Sequence, residues 1–324
     1  MFNKVNTRYL TIVFVALLAL VLITVPSGNK KKNRSFKSEL TSFETEAVTS
    51  FTIYPKAGGE SISFRNSDDN WLVSDASGEY NADNNQVESM LGSLSQLRAK
   101  RLAAKGKENW EKYELSDSLS TRVKIQEGEK VLADVYVGKF SYSAPQQPAS
   151  PYMQQQGTMT SFVRLDKEKE VYAVDGFLSM SFNRQIQNYR DGNVLRITES
   201  DLQRITLKAP GSEFSVVRND SIWMVDGVLA DSASMADYLS DLRYARSSEF
   251  LASELQPAGN PSHTLKLEGK DGSMLAQVDA FVMDSTRISL RSSINPGTWF
   301  DGTGDELYQE LFRDKSYFLS SEVE

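Results

Sequence analysis

Two stretches of the chain share one pattern: "DNWLVSDASGEYNADNNQVESMLGSLSQLRAKR", residues 69–101, and "SIWMVDGVLADSASMADYLSDLRYAR", residues 221–246. In each stretch a short apolar run around a tryptophan predicts a β-strand. An aspartate follows, Asp83 in the first stretch and Asp231 in the second, at the position of a helix N-cap. Apolar residues spaced by three and four then predict one buried helix face.

The similarity extends on both sides of these stretches, which indicates an internal duplication. The offset between matched residues falls from 154 to 142 along the chain, as expected if the second copy has shorter loops. Representative pairs are Phe51 with Ile205, Trp71 with Trp223, Leu94 with Leu242 and Val123 with Leu265. Alternating strands followed by a helix predict an α+β fold, in which each repeat is a mainly antiparallel sheet covered by a helix. Trp71 and Trp223 are predicted core residues.

Four segments follow from this pattern. Residues 1–34 are interpreted as a membrane anchor with a basic flank, and residues 35–140 as the first repeat. Residues 141–195 hold a Gln- and Pro-rich loop, a hairpin and a helix expected to bridge the repeats, and residues 196–324 form the second repeat.

Residues 9–25, "YLTIVFVALLALVLITV", are apolar except for two threonines. This length is at the short end of what crosses a bilayer as a helix. The alternative is a cleaved signal peptide, but no small-x-small cleavage site follows the run. We therefore expect a single-pass helix that contacts membrane lipid.

Charge gives an ambiguous orientation and disfavours one class of partner. Two basic residues precede the span and four follow it, and this count favours a cytoplasmic body. Beyond residue 34 the chain carries 30 Lys and Arg against 43 Asp and Glu, a net charge of −13. Nucleic acid is not an expected partner, since phosphate binding requires a basic surface.

Catalytic and metal-binding patterns are weak. The chain has no cysteine and one histidine, His263, which is interpreted as a surface residue. Residues 66–70 and 301–306 each contain several side chains with oxygen atoms that could bind calcium, but they lack EF-hand spacing. Solvated turns are the favoured interpretation. We expect no catalytic residue, no cofactor and no metal site.

Three aromatic residues are candidates for contact with a partner. Tyr152 lies in the Gln- and Pro-rich loop, and Trp299 and Phe300 lie in "NPGTWFDG", which interrupts the repeat.

The repeat, together with "YELSDSLSTRVKI" at 113–125, "VYVGK" at 135–139, "VYAVDGFLSMSF" at 171–182 and "YRDGNVLRI" at 189–197, resembles the DUF4340 family of bacterial membrane-anchored proteins. Members of this family are often associated with ABC-type exporters, including those linked to gliding motility. The resemblance implies a body on the periplasmic side of the cytoplasmic membrane, in conflict with the charge count. Long domains cross largely regardless of charge, so we adopt the periplasmic orientation. The long Gln- and Pro-rich loop departs from the family pattern.

Three functions remain open. The leading hypothesis is a non-enzymatic extracytoplasmic accessory or scaffold subunit of a membrane complex with protein partners. The alternative is a periplasmic protein that binds a carbohydrate or another envelope component between its repeats. A hydrolase with a carboxylate pair is the third.

Overall fold

The computed structural model describes residues 36–68, 70–144, 157–252, 255–284, 287–303 and 306–319. The chain forms two compact units, Met1–Ser38 and Glu39–Glu324, and only residues 36–38 of the first are described. Within the described ranges, every helix is too short or too polar to cross a bilayer. The span predicted at residues 9–25 lies outside them and stays a prediction.

The first repeat forms one antiparallel sheet, in which the described strands follow the spatial order β4-β3-β2-β1-β6-β7-β8-β9-β5. The strands are β1 Ser50–Tyr54, β2 Ile62–Ser67, β3 Asn70–Asp75, β4 Gly78–Asn81, β5 Ala99–Ala104, β6 Thr121–Glu127, β7 Lys130–Ser143, β8 Thr158–Leu165 and β9 Val171–Asp175.

The second repeat forms a second antiparallel sheet, in the described order β13-β12-β11-β10-β14-β15-β16-β17. The strands are β10 Leu202–Ala209, β11 Ser212–Asn219, β12 Ile222–Val225, β13 Val228–Leu229, β14 His263–Gly269, β15 Met274–Asp284, β16 Arg287–Ser292 and β17 Trp299–Asp301.

Four α-helices are described: α1 Asn84–Ser95, α2 Leu178–Phe182, α3 Ser232–Tyr244 and α4 Glu306–Leu311. The described 3-10 helices are Thr45–Ala47, Lys56–Gly58, Lys107–Asn109, Glu111–Tyr113, Ile186–Tyr189, Glu199–Asp201 and Lys315–Phe318.

Strand register confirms that the two sheets are built alike. Phe51 pairs with Phe64 and Ile125, and its counterpart Ile205 pairs with Val216 and Leu267. A register shift also falls at the same place in both copies, after Ile125 in the first and after Leu267 in the second. A shared bulge is strong evidence of common origin, because bulges are specific local features that families retain. The α+β class and the two antiparallel sheets agree with the sequence prediction.

The long helix of each repeat starts and packs in the same way. The carboxylate of Asp83 accepts the backbone N–H of Gln86 at 3.2 Å, and that of Asp231 accepts the N–H of Ser234 at 2.8 Å, so both aspartates are N-caps. The buried face of α1 is Val87, Met90, Leu91 and Leu94, and that of α3 is Met235, Tyr238, Leu239 and Leu242. Trp71 and Trp223 are buried, as predicted for core residues.

Much of the segment 141–195 extends the first repeat. It contributes β8 and β9 to the first sheet, and α2 packs against β7. The 3-10 helix that follows α2 ends at Tyr189, whose carbonyl accepts the N–H of Asp83 at 2.9 Å. Phe318 does the same for Asp231 at 2.8 Å in the second repeat. The duplication therefore includes the hairpin and short helices that follow β7 and β15.

Leu94 is fully buried between α1 and the sheet, which makes it a direct test of this packing. Leu94→Ala should lower the free energy of unfolding by about 2–5 kcal/mol, because it removes buried methyl groups and leaves a cavity. The measurement is urea unfolding followed by circular dichroism. Met274→Ala, at an exposed position, should change the same quantity by less than about 0.5 kcal/mol. Equal effects of the two substitutions would contradict this packing.

Candidate functional site

The two repeats differ clearly where β7 meets β8. Strand β7 has 14 residues, and its end, Phe140–Ser143, pairs with residues 158–161. We call residues 138–143 and 158–161 the extended hairpin. The corresponding strand of the second repeat, β15, has 11 residues. Positions shared by the copies are explained by folding, so a feature found in one copy is the better candidate for function.

A groove of about 690 Å³ lies between β7 and α2, and we call it the hairpin groove. Three of its apolar side chains are exposed: Leu119 by 42%, Phe140 by 45% and Met180 by 57%. Tyr142 and Met159, a cross-strand pair on the extended hairpin, are exposed as well. Clustered apolar side chains of this kind mark interaction surfaces more often than isolated ones do. The groove is lined by Lys56, Glu114, Leu119, Thr121, Val137, Gly138, Lys139, Phe140, Phe177, Ser179, Met180, Asn183 and Arg184.

The hairpin groove has the opposite charge to the body of the chain. Lys56, Lys139 and Arg184 line it together with one acid, Glu114. The Lys139 ammonium lies 5.4 Å from the centroid of the Tyr113 ring, a cation–π distance. A basic surface around apolar side chains favours a partner segment that is both apolar and acidic.

A cap formed by residues 107–115 fixes one wall of the groove, and this cap depends on a glycine in β7. A Cβ atom at Gly138 would lie 2.2 Å from the carbonyl oxygen of Tyr113 and 2.9 Å from that of Glu114. Glycine alone lets the turn approach the strand this closely. The position is Phe281 in the second repeat, where a large side chain covers the sheet instead.

Arg164 ties the cap to the sheet. Its guanidinium carbon lies 3.3 Å from the ring centroid of Tyr136 and 4.0 Å from that of Trp110. Its Nε donates to the carbonyl of Leu115 at 2.8 Å, and it pairs with Asp117. Arg164 is buried, so these contacts compensate the loss of hydration that a buried charge suffers.

The second repeat has a groove of about 600 Å³ at the corresponding place, and it contains His263. His263 lies half-buried against Tyr308 and Phe312 rather than open on the surface. Its Nδ1 is 2.9 Å from Ser262 Oγ and its Nε2 is 3.3 Å from the Tyr308 hydroxyl. Burial lowers the pKa of His263, and nearby Asp314 opposes that shift. Both ring nitrogens have partners when the imidazole is neutral.

This Ser–His contact is poorly suited to nucleophilic catalysis. Ser262 Oγ lies 3.1 Å from the carbonyl of Ala280, to which it donates, and accepts the N–H of Val282 at 3.0 Å. Its proton is thus directed to a backbone carbonyl, whereas an activated serine donates to the histidine. Among the described residues, His and acidic side chains form no group of three that could hold a metal ion. Parts of both candidate calcium turns, Asp69 and residues 304–305, lie outside that range.

Of the three predicted contact residues, the structure describes Trp299 and Phe300. Tyr152 lies outside the described residues. Trp299 is half-buried, with its ring centroid 5.0 Å from that of Phe281. Phe300 is fully buried in the core of the second repeat and packs on Phe250, so its side chain is not available to a partner. Trp299 and Phe300 point to opposite faces of β17, as neighbours in a strand do.

The exposed residues of the extended hairpin escaped sequence reasoning, although a signal exists. Residues 140–163 contain no charged residue in a chain that is 24% charged. This lack of charge is the signal in the sequence that sets the extended hairpin apart from the rest of the chain.

The repeats meet at a joint made of polar and aromatic contacts. The guanidinium of Arg190 lies between the rings of Tyr80 and Phe250, 3.8 Å from each centroid. Arg246 pairs with Asp83 at 2.7 Å, and Asn81 donates to Asn295 at 3.0 Å. A cavity of about 340 Å³ remains beside these contacts. The alternative function predicts a ligand between the repeats, which is where these contacts and this cavity lie.

Gly192 allows the segment that connects the repeats to pack closely against Ser247. The N–H of Ser247 donates to the carbonyl of Gly192 at 2.9 Å, and a Cβ at Gly192 would lie 2.4 Å from the carbonyl oxygen of Ser247.

Comparison with known proteins identifies the family of this chain. The model of one family, described as "Domain of unknown function (DUF4340)", matches residues 73–266, which is more than half of the chain. The chain belongs to the DUF4340 family. No curated protein and no solved structure matches significantly. The DUF4340 match begins in β3 and ends in β14, so it includes the extended hairpin and the joint residues from Tyr80 to Phe250, but not Asn295. The family's description assigns no activity.

Gly138→Ala should destabilise the protein by about 1–3 kcal/mol, because the added methyl group overpacks the contact with Tyr113. It should also change Trp110 fluorescence, since the cap must move. Gly92→Ala is the matched control: Gly92 lies in α1 with open space around it, and alanine should stabilise by about 0.5–1 kcal/mol. Effects of the same sign in urea unfolding would contradict the proposed role of Gly138.

His263 should make stability depend on pH. Because burial holds its folded-state pKa below the ordinary value of 6.5, protonation favours the unfolded chain. Its contribution to the free energy of unfolding is present above about pH 6.5 and is lost as pH falls through the folded-state pKa. His263→Gln should remove this component when unfolding is compared across that range. Identical pH profiles for the two proteins would show that His263 is not responsible.

Proposed function

We propose that this protein is a non-enzymatic accessory or scaffold subunit of a membrane complex, and that the hairpin groove receives a protein partner. The supporting observation is the group of exposed apolar side chains around the groove, Leu119, Phe140 and Met180. Full burial of a side chain of this size against a partner is worth about 1.5–3 kcal/mol.

The chemistry of the groove suits a protein rather than a small polar ligand. Methionine and phenylalanine adapt to apolar surfaces, and Met180 extends from α2 towards solvent. Lys56, Lys139 and Arg184 around them attract an acidic segment. The proposed partner surface therefore combines apolar anchors with Asp or Glu.

A role without catalysis is the simpler interpretation of the remaining polar groups. His263 and Ser262 have partners that suit a neutral, structural pair. Arg164 and Arg190 serve packing between aromatic rings. Neither arrangement presents an acid and a base to one reacting atom, which general acid–base catalysis requires.

The setting of this function rests on the sequence. Residues 9–25 would anchor the chain in the cytoplasmic membrane, and the family resemblance favours a periplasmic body. A subunit of an ABC-type exporter complex, such as one linked to gliding motility, is the proposed partner.

Ligand binding between the repeats is the second candidate, because a cavity is present at the joint. Its volume of about 340 Å³ lies near the lower end of the range for ligand pockets, roughly 300–1,000 Å³. Arg190 and Arg246 already have partners there. The joint therefore supports this candidate less than the hairpin groove supports the first.

Crosslinking and purification from native membranes tests the proposal. The full-length chain should recover subunits of a membrane transport complex in near-stoichiometric amounts. Phe140→Ser with Met180→Ser should reduce that recovery at least about 10-fold, since each truncation removes an apolar anchor. Quantitative mass spectrometry measures the ratio.

Met283→Ser is the matched control. Met283 is the counterpart of Phe140 in the second repeat and is 47% exposed. The control should retain the partner. Equal recovery by the double variant, or equal loss in the control, would contradict the assignment. If the double variant loses binding to anionic lipid vesicles but keeps its protein partners, the groove contacts the membrane surface and the proposal is wrong.

A further inference from the structure

The joint between the repeats provides a template for contact between copies of the chain. One side, which we call the receiving face, consists in the first repeat of Tyr80, Asn81 and Asp83. The other side, the entering face, consists in the second repeat of Arg246, Phe250 and Asn295. These faces meet through the Arg190 stack, the Asp83–Arg246 ion pair and the Asn81–Asn295 hydrogen bond.

Because the chain is duplicated, each face occurs a second time, at the outer ends of the molecule. Val228 pairs with Val225 as Tyr80 pairs with Val73, which places Val228, Leu229 and Asp231 on the receiving face of the second repeat. On the entering face, Leu102 pairs with Tyr172 as Phe250 pairs with Phe300. The entering face of the first repeat is therefore Arg98, Leu102 and Glu168.

The outer receiving face is apolar where its counterpart is polar. Val228 is 57% exposed and Leu229 is 60% exposed on the edge strand β13, and neighbouring Ile222 is 47% exposed. The matched positions of the first repeat are Tyr80, Asn81 and Asn70. Leu229 and Ile222 also line a groove of about 510 Å³ together with Trp223, Met235 and Leu239. An exposed apolar edge strand is a surface that soluble proteins normally avoid or cover.

The two outer faces match at the stack and at the ion pair of the joint, while Glu168, which accepts a hydrogen bond from the Tyr172 hydroxyl, corresponds to the position opposite Leu229. Phe318 is the counterpart of Tyr189, since each accepts the N–H of an N-cap aspartate. The next residue, Leu319, is therefore the counterpart of Arg190. In a contact between copies that is built like the joint, Val228, Leu319 and Leu102 would take the places of Tyr80, Arg190 and Phe250. The acid and the base are retained, because Asp231 corresponds to Asp83 and the exposed Arg98 to Arg246.

We propose that a second copy of this chain docks with the entering face of its first repeat on the receiving face of the second repeat. The two faces differ, so the contact is heterologous and each added copy presents a new receiving face. Such head-to-tail association goes beyond the scaffold function and uses none of the residues of the hairpin groove.

Sedimentation velocity of the purified full-length chain in detergent tests this assembly in the absence of any partner. The weight-average mass should rise with concentration, and Leu229→Asp should shift that rise to at least about 10-fold higher concentration by placing a charge in the contact. Met274→Asp adds the same charge at another exposed apolar position of the second repeat and should leave the mass profile unchanged. A concentration-independent monomer, or equal effects of the two variants, would overturn the proposal.

Because the chain has no cysteine, engineered pairs report the geometry of the contact. Leu229→Cys with Glu168→Cys corresponds to Asn81 and Asn295, whose side chains touch at the joint. This double variant should form a ladder of disulfide-linked oligomers on oxidation. Leu229→Cys alone should not; an efficient dimer from that single variant would indicate a two-fold contact and refute head-to-tail docking. Either failure leaves the partner recovery at the hairpin groove unaffected, so the two proposals can fail separately.

Discussion

One long helix lying on one antiparallel sheet is the contact on which each repeat depends. A helix of 12 or 13 residues is marginal by itself, and a sheet with one open apolar face cannot remain in water alone. The side chain of the N-cap aspartate fixes where the helix starts. The backbone N–H of the same aspartate donates to the carbonyl of the last residue of the 3-10 helix near the end of the repeat, Tyr189 or Phe318. Helix, sheet and closing segment therefore form as a set, which explains why both copies retain all three.

The copies cover the outer faces of their sheets in different ways, and this difference shapes the surface beside the hairpin groove. In the first repeat Gly138 leaves room for the cap. Arg164 holds the cap against the sheet by donating to the carbonyl of Leu115. In the second repeat the side chain of Phe281 fills that space and packs in a tilted arrangement against Trp299. The guanidinium of Arg291 lies over the Trp299 ring. The cap also forms a wall of the hairpin groove through Glu114. Both repeats keep a groove at this place, and the glycine-to-phenylalanine difference changes what lies beside it: the cap in the first repeat, and Phe281 with Trp299 in the second.

The sequence was informative where periodicity carries the signal. Matched strand positions such as Phe51 and Ile205, the two N-caps and the buried tryptophans follow from local pattern and from its repetition. Contacts between elements could not be predicted in this way. The Arg190 stack depends on Tyr80 and Phe250, which are far apart in sequence, and Phe300 is buried because of which face of β17 meets the core. The sequence predicts that the hairpin and helix after residue 157 lie between the repeats. The structure places β8 and β9 in the first sheet, and their counterparts β16 and β17 resemble them in position more than in sequence.

The joint explains how a duplicated chain acts as one body. The guanidinium of Arg190 is partly removed from water, which lowers its pKa, and its two aromatic neighbours compensate through cation–π contact. Opening the joint would separate that stack and also break the Asp83–Arg246 pair and two hydrogen bonds of Asn295. Interfaces between domains permit relative motion by default, and these contacts of the joint oppose it. Residues 39–324 form one compact unit, so the hairpin groove and the apolar edge at β13 belong to the same body. The proposed scaffold function requires such a connection between its two contact surfaces.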